Sequence, residues 1–280
     1  MEELIQLMLK NIKLRGLSKN TQKIYIRIAK EFCNHFSASP RELDTNHVKD
    51  YLFYLINEKK IASKTIGLTR AALKFLYKDC LSRPEIMESV PSIKKEKKLP
   101  VILNPKEIEA IIDSACNMKH KALLATIYSA GLRTSEAAQL KVQDIDSSRM
   151  QIRVNNSKGA KDRYTILSQT ALKYLREYWK QYKPRFWLFP GQWKDKPITQ
   201  KSVSRIFREY KKKAGITKQA TTHTLRHSFA THLLENGVDL HHIQLLLGHS
   251  SPETTTVYLH VRRADLQKII SPLDLIKKKT

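Results

Sequence analysis

The stretch THTLRHSFATHLLENGVDLHHIQLLLGHSSPETTTVY, from Thr222 to Tyr258, decides how the rest of the chain is read. Leu225, Phe229 and Leu233 recur in it at four-residue intervals, the repeat of one helix face, and Gly237 supplies a stop. Thr222 is placed to cap this helix, which puts His223 and Arg226 in its first turn. A helix N-terminus attracts anions through its free amides and partial positive charge, so a histidine and an arginine added there point to a phosphate. A second helix is predicted from Val238 to Leu247, stopped by Gly248, with His249 in the turn beyond it. Ser251-Pro252 then starts a short helix that carries Tyr258 about two turns in. Cation, hydrogen-bond donors and a nucleophile are gathered at helix ends, and the chain before them must deliver a phosphodiester.

The charge agrees with that substrate. The 280 residues carry 51 Lys and Arg against 26 Asp and Glu, a formal net charge of +25. The basic residues are spread through both halves instead of forming one amphipathic helix or tail, which favours a nucleic acid over a membrane surface or an acidic protein. The length suits two domains, each able to bury its own core. Cys33, Cys80 and Cys116 show no CxxC spacing, which argues against a disulfide framework or a cysteine metal site and fits the cytoplasm. The N-terminus, MEELIQLMLKNIKLRG, carries acids at once and reads neither as a signal peptide nor as a membrane span. Seven of the ten histidines lie between His223 and His260, so a metal has to be weighed. His223 and His227 are four apart on a helix, but HExxH is absent and no cysteine lies in the segment, so no metal is expected.

Upstream, Pro91 to Pro100 (PSIKKEKKLP) breaks the helical pattern and has almost nothing to bury. It reads as an interdomain linker, either a basic tether or a plain connector, dividing the chain into domains at 1–90 and 101–280. Asn104-Pro105 opens the second domain with a cap and a proline at the first helical position, and Ile108, Ile111 and Ile112 form the apolar stripe that follows. Residues 121–132 read as a mostly buried helix ended by Gly131. Arg133 follows at once, with Thr134 placed to cap the next short helix and Glu136 in its first turn. From Met150 the period becomes alternating, and RYTIL from Arg163 resumes it after NNSKGAKD, so a hairpin is predicted with Lys158 near its tip. Helices return at about 170–182 and 199–214. Phe186, Trp187, Phe189 and Trp193 between them read as a hydrophobic plug that seats the loop.

The first domain reads as helical. Ser18 can cap a helix with Ile24, Ile28 and Phe32 inward, leaving Lys19, Lys23, Arg27 and Lys30 off the stripe. Thr45 can cap a second, with Val48, Leu52, Leu55 and Ile56 inward. Ser63 can start a third, with Ile66, Leu73 and Leu76 inward and Lys64, Arg70, Lys74 and Lys78 left for solvent or phosphate.

GLRTSE, SKGAKDR, HTLRH, LLGHS and a tyrosine nine residues after the last histidine resemble, in order and spacing, the catalytic motifs of the tyrosine recombinases. The sequence looks most like the Xer, phage-integrase and integron-integrase branch of that family, and the resemblance covers nearly the whole chain. It implies a mainly α fold with a small β-sheet: a helical, SAM-like core-binding domain followed by an α+β catalytic domain. It also implies roles. Tyr258 attacks the scissile phosphate, giving a 3′-phosphotyrosyl link and a free 5′-hydroxyl. Arg133 and Arg226 grip the nonbridging oxygens, and planar guanidinium forks match phosphate geometry. Lys158 protonates the departing oxygen, with Lys161 as an alternative; His223 and His249 complete the cage, and Glu136 orients a basic or histidine side chain. Lys19, Lys23, Arg27, Lys64, Arg70 and Lys74 become DNA contacts. No cofactor is expected, because the phosphotyrosyl bond conserves the energy of the broken phosphodiester.

The implied partner is double-stranded DNA at paired recombination sites, with a homo-tetramer at synapsis and accessory recombination proteins as further candidates. The C-terminal segment DLQKIISPLDLIKKKT is open to docking on a neighbour or folding back on its own domain. Two other readings share part of the pattern. A type IB topoisomerase-like enzyme would relax one duplex without a partner site, and a noncatalytic DNA-binding regulator would have no need of Tyr258.

Overall fold

The computed structural model describes residues 2–92, 100–155 and 162–248, and the chain divides into two compact units, Met1–Lys98 and Leu99–Thr280. Most of the predicted linker, together with Lys158, Lys161, His249, Tyr258 and the C-terminal segment, lies outside the described residues.

Among its described residues the first unit is helical: α1 (Glu2–Leu14), α2 (Lys19–Phe36), α3 (Thr45–Asn57), α4 (Ser63–Lys74) and α5 (Glu85–Glu88). Ser18 caps α2 as its sequence predicts, its Oγ accepting from the Thr21 amide at 3.1 Å. Phe32 from α2 is fully buried and meets Tyr51 of α3 edge-on at 5.2 Å and Tyr77 at 6.3 Å, so one aromatic side chain ties three segments together. Two expectations are corrected. The cap of α3 is Asp44, whose Oδ1 accepts from the Asn46 and His47 amides; the Thr45 hydroxyl instead donates to the Ile86 carbonyl. Ile56, expected inward, is exposed, and Tyr51 takes the inward position instead. Beyond α4 the helix widens into a π-helical segment, Phe75–Cys80, that buries Phe75, Leu76, Tyr77 and Cys80.

The second unit holds α6 (Pro105–Asp113), α7 (Met118–Ser129), α8 (Thr134–Ala138), strands β1 (Ile145–Asp146), β2 (Gln151–Val154) and β3 (Arg163–Ile166), then α9 (Gln169–Tyr182), α10 (Gln200–Lys213), α11 (Thr222–Glu235) and α12 (Leu240–Leu247). The strands form one antiparallel sheet in the order β1-β2-β3, with Ile152 opposite Thr165 and Val154 opposite Arg163. The whole is mainly helical with a small sheet, the predicted class. Asn104 and Glu107 form the capping box that opens α6. The middle of α7, Ala122 to Ile127, is buried throughout, and α9 and α11 pack against it. The aromatic loop after α9 departs from its prediction. Phe189 and Leu188 are buried, whereas Phe186 and Trp193 are 54% and 65% exposed, so the plug is Leu188 and Phe189 rather than all four aromatics. Phe186 lies instead under the Lys141 ammonium, 5.0 Å from its ring centre. Among the described residues no helix is long and apolar enough to cross a membrane.

Candidate active site

Three arginines from three elements converge on one carboxylate in the second unit. Glu136 stands in the first turn of α8, Arg133 immediately before that helix, Arg163 at the start of β3, and Arg226 in the second turn of α11. Arg133, not Thr134, is the N-cap residue: its amide donates to Glu136 Oε2 at 2.8 Å, because the carboxylate three residues on folds back over the helix end. The Arg133 guanidinium donates to Oε1 at 2.5 Å. Arg163 forks onto both oxygens, Nη1 to Oε1 and Nη2 to Oε2, each at 2.8 Å. Arg226 Nη1 approaches Oε2 at 3.7 Å.

The C-terminus of α12 supplies a second acceptor for every one of these cations. Its last carbonyls lack helical partners and carry the negative end of the helix dipole. Leu246 O accepts from Arg163 Nε at 2.8 Å, Leu247 O from Arg226 Nη2 at 2.6 Å, and Gly248 O from Arg133 Nη2 at 3.2 Å. Three successive carbonyls thus take three different arginines. Gly248 closes the helix at φ +63°, and a Cβ there would stand 2.7 Å from Arg163 Cδ, so both its conformation and its neighbour require glycine. Gly131, at φ +60°, is equally constrained by Phe229, and its carbonyl accepts from Arg226 Nη1 at 2.6 Å.

Burial sorts the three. Arg226 is 1% exposed and the Arg163 side chain 8%, whereas Arg133 reaches solvent with 21% of its side chain. Three guanidiniums around one carboxylate leave an excess of positive charge, offset only by backbone dipoles among these contacts, and such a cluster suits an anion. His223 is exposed on the first turn of α11, its ring 4.9 Å from that of His227. The N-cap of α11 is Thr221 rather than Thr222, so the helix begins one residue earlier than the sequence suggests and Thr222 is buried. The basic residues singled out in the first unit lie on α2 and α4. Lys19, Lys23, Arg27, Lys64 and Lys74 are exposed, Arg27 bonding Glu31, whereas Arg70 is half-buried and donates to the Val90 carbonyl at 2.8 Å.

Arg163 is the residue that reading the sequence missed. It was legible only as the last residue of SKGAKDR at the head of a strand, where an arginine ordinarily faces water. No three His, Cys, Asp or Glu side chains among the described residues converge as a metal site would require.

Two groups here give the fold a pH dependence of defined sign. Burial pushes the Glu136 carboxyl up, but the hydrogen bonds and charge of Arg163, with those of Arg133, outweigh it and hold the group down at about 2 against a usual 4.5. A carboxyl depressed by folding stabilises the protein above its unfolded value and loses that contribution as pH falls toward 2. His227 is depressed to about 4 from 6.5, by burial first and then by His223 and Arg226. The unfolded chain therefore takes up its proton first, and stability falls as pH drops from 6.5 toward 4. Each effect amounts to at most about 3 kcal/mol. Urea midpoints measured across pH should fall in two stages; His227→Gln should shrink the upper one, to which the depressed His120 and His232 also contribute, and Glu136→Gln should lower the neutral plateau and shrink the lower one. A midpoint flat between pH 6.5 and 4 in the unsubstituted protein would contradict the His227 assignment.

Residues 102–265 match the phage integrase family, and residues 4–86 match the phage integrase N-terminal SAM-like domain. A Sinorhizobium fredii protein described as an integrase/recombinase is 42% identical over 279 residues, covering 99% of this chain and 91% of that protein. Tyrosine recombinase XerA of Pyrococcus horikoshii is 34% identical over 272 residues, covering 95% of this chain and 92% of that one. The solved structure of XerH site-specific recombinase bound to difH substrate, a pre-cleavage complex, matches with a TM-score of 0.73 at 25% identity across 96% of this chain and 84% of that chain. With the family matched over more than half of its length and relatives aligned nearly end to end, this chain belongs to the phage integrase family of tyrosine recombinases, and its activity is site-specific DNA recombination.

Proposed function

We propose that the arginine cluster on Glu136 holds the scissile phosphate of a duplex, which Tyr258 attacks to give a 3′-phosphotyrosyl link and a free 5′-hydroxyl. The observation that carries this reading is the double anchoring of Arg133, Arg163 and Arg226 on one carboxylate and on three successive carbonyls of α12. Charge fixed in this way before substrate arrives needs no reorganisation when the pentacoordinate transition state forms. Arg133 and Arg226 stabilise the nonbridging oxygens, His223 and His249 complete the cage, and His223 assists proton transfer from Tyr258. Glu136 orients the arginines. Lys158 protonates the leaving 5′-oxygen, with Lys161 as the alternative donor. The reaction needs no cofactor, because the covalent link stores the energy for rejoining.

Residues 1–90 act as a core-binding domain, 91–100 as the linker and 101–280 as the catalytic domain. Lys19, Lys23, Arg27, Lys64 and Lys74 turn the exposed faces of α2 and α4 toward DNA, while Arg70 braces α4 against Val90 from within. Recombination joins two duplexes, so a homo-tetramer acts at synapsis, in the cytoplasm where the DNA is.

Replacing the bridging 5′-oxygen by sulfur tests the assignment of the proton donor. Lys158→Ala should slow cleavage of the ordinary substrate by about a hundredfold, the scale of general acid catalysis. The sulfur substrate should restore the rate, because a thiolate leaves without a proton. It should not restore Arg226→Ala. Rescue of Lys161→Ala, with Lys158→Ala unimpaired, would transfer the role to Lys161.

A further inference from the structure

Arg163 takes no part in the proposed chemistry, yet its guanidinium is held by protein acceptors on three of its atoms. Three donors on its two Nη atoms and Nε are committed at 2.8 Å each, two to Glu136 and one to the Leu246 carbonyl. Its side chain is 8% exposed, its stem packs against Gly248, and both Nη atoms and Nε point at protein acceptors.

Its partners show what it does. Arg133 holds both oxygens of Glu136 from the helix end, its amide on Oε2 and its guanidinium on Oε1. The Arg163 fork holds the same two oxygens from a separate strand, so the carboxylate is fixed between α8 and β3 by parallel bonds that do not depend on Arg133. The same guanidinium holds the carbonyl of Leu246, next in the chain to the carbonyls that receive Arg226 and Arg133. Arg163 therefore stands behind both acceptors on which the other two arginines rest. Its own charge also makes a permanent carboxylate of Glu136, keeping that acceptor ionised.

We propose that Arg163 is a positioning residue of the recombinase: by locking Glu136 and the end of α12 together, it sets the guanidiniums of Arg133 and Arg226 at the spacing of a phosphate. The inference rests on the reading that those two arginines hold the scissile phosphate.

The test compares single-turnover formation of the covalent adduct on a nicked duplex with that on the same duplex carrying sulfur at a nonbridging position of the scissile phosphate. Sulfur is larger and a weaker acceptor than oxygen, so a well-set arginine fork discriminates against it, and a loosened one discriminates less. Arg163→Gln should bind the duplex as the unsubstituted protein does, form adduct about 10 to 100 times more slowly, the scale for groups that orient others, and show a smaller ratio of oxygen to sulfur rates. Arg163→Lys keeps the charge and stem but not the fork. It should show the same two changes, and it serves as the folded comparison where Arg163→Gln melts too low. In a Glu136→Gln background, Arg163→Gln should add little further loss, because the two act as one unit.

Cleavage at the full rate by both Arg163 variants overturns the inference. So does slow cleavage with an unchanged oxygen-to-sulfur ratio, which marks a residue that only holds the fold, and so does full additivity with Glu136→Gln. Arg133→Lys, measured alongside, separates the two levels. If it cleaves normally with an unchanged ratio, the clamp itself is wrong and the inference falls with it; if it is impaired with a reduced ratio while Arg163→Gln is not, only the role of Arg163 falls.

Discussion

Tyr258→Phe should abolish the covalent adduct while leaving the fold and noncovalent DNA binding intact, since it removes one oxygen and little volume. With a nicked duplex, the short 5′-hydroxyl fragment diffuses away after attack and the unsubstituted protein should stay attached to DNA through denaturing electrophoresis. A free phenol ionises near pH 10, so only about one in a thousand is anionic at neutral pH, and the attack depends on a cationic site. The other ten tyrosines lie earlier in the chain, and several are disqualified by their surroundings. Burial raises Tyr51 to about 12 and pushes Tyr77 and Tyr178 higher still, which makes them poorer nucleophiles. The Tyr128 hydroxyl is bonded to His232 and that of Tyr210 to His120. The adduct should form equally well in EDTA, because the arginines supply the charge that a metal otherwise would. An adduct that persists in Tyr258→Phe, or one that needs a divalent cation, would falsify the assignment of the nucleophile.

The parts of this molecule that were legible in its sequence are those set by local periodicity and by helix punctuation. Ser18, the Asn104-Pro105 pair, Gly131, Gly237 and Gly248 mark helix ends because capping and left-handed turns are short-range demands. Where the structure departs by one residue, two polar groups competed. Asp44 precedes Thr45, and its carboxylate takes two amides while the threonine hydroxyl is drawn to Ile86. At Arg133 the cap comes from a side chain three residues ahead, and Glu136 is there for the arginines as much as for the helix. The π-helical segment after α4 and the exposure of Trp193 depend on what packs against them, which no window of sequence contains.

The candidate site divides along the same line. Arg133 and Arg226 carried recognisable motifs, but nothing in the sequence indicated that Arg226 would be buried or that the end of α12 would bind all three arginines. Those bonds join residues as far apart as Gly131 and Arg226, or Arg163 and Leu246. Arg163 was hidden for the same reason: its partner is 27 residues away, on a different element. A motif records which residues are used together; it does not record which backbone carbonyls they need.

The second large effect is expected at Arg226. Lysine there keeps the positive charge, so binding to the duplex, which follows overall charge, should persist. What it loses is the planar fork. Arg226 presents Nη1 to the Gly131 carbonyl and Nη2 to that of Leu247, both at 2.6 Å, and so joins the end of α7 to the end of α12 while lying beside Glu136. One ammonium nitrogen at the end of a flexible stem cannot span two carbonyls at that spacing and also hold a fixed direction toward phosphate. Two buried carbonyls then compete for one donor group, and the loss of a hydrogen bond to a charged group costs about 1.5–3 kcal/mol of stability. Adduct formation should fall by about a hundredfold to a thousandfold, the scale for removing a preorganised transition-state donor. The two losses separate experimentally, because the first moves the urea midpoint and the second, measured below that midpoint with the duplex saturating, moves only the single-turnover rate. A variant that melts lower yet cleaves at the full rate would make Arg226 a strut between two helix ends and would leave Arg133 to hold the phosphate alone.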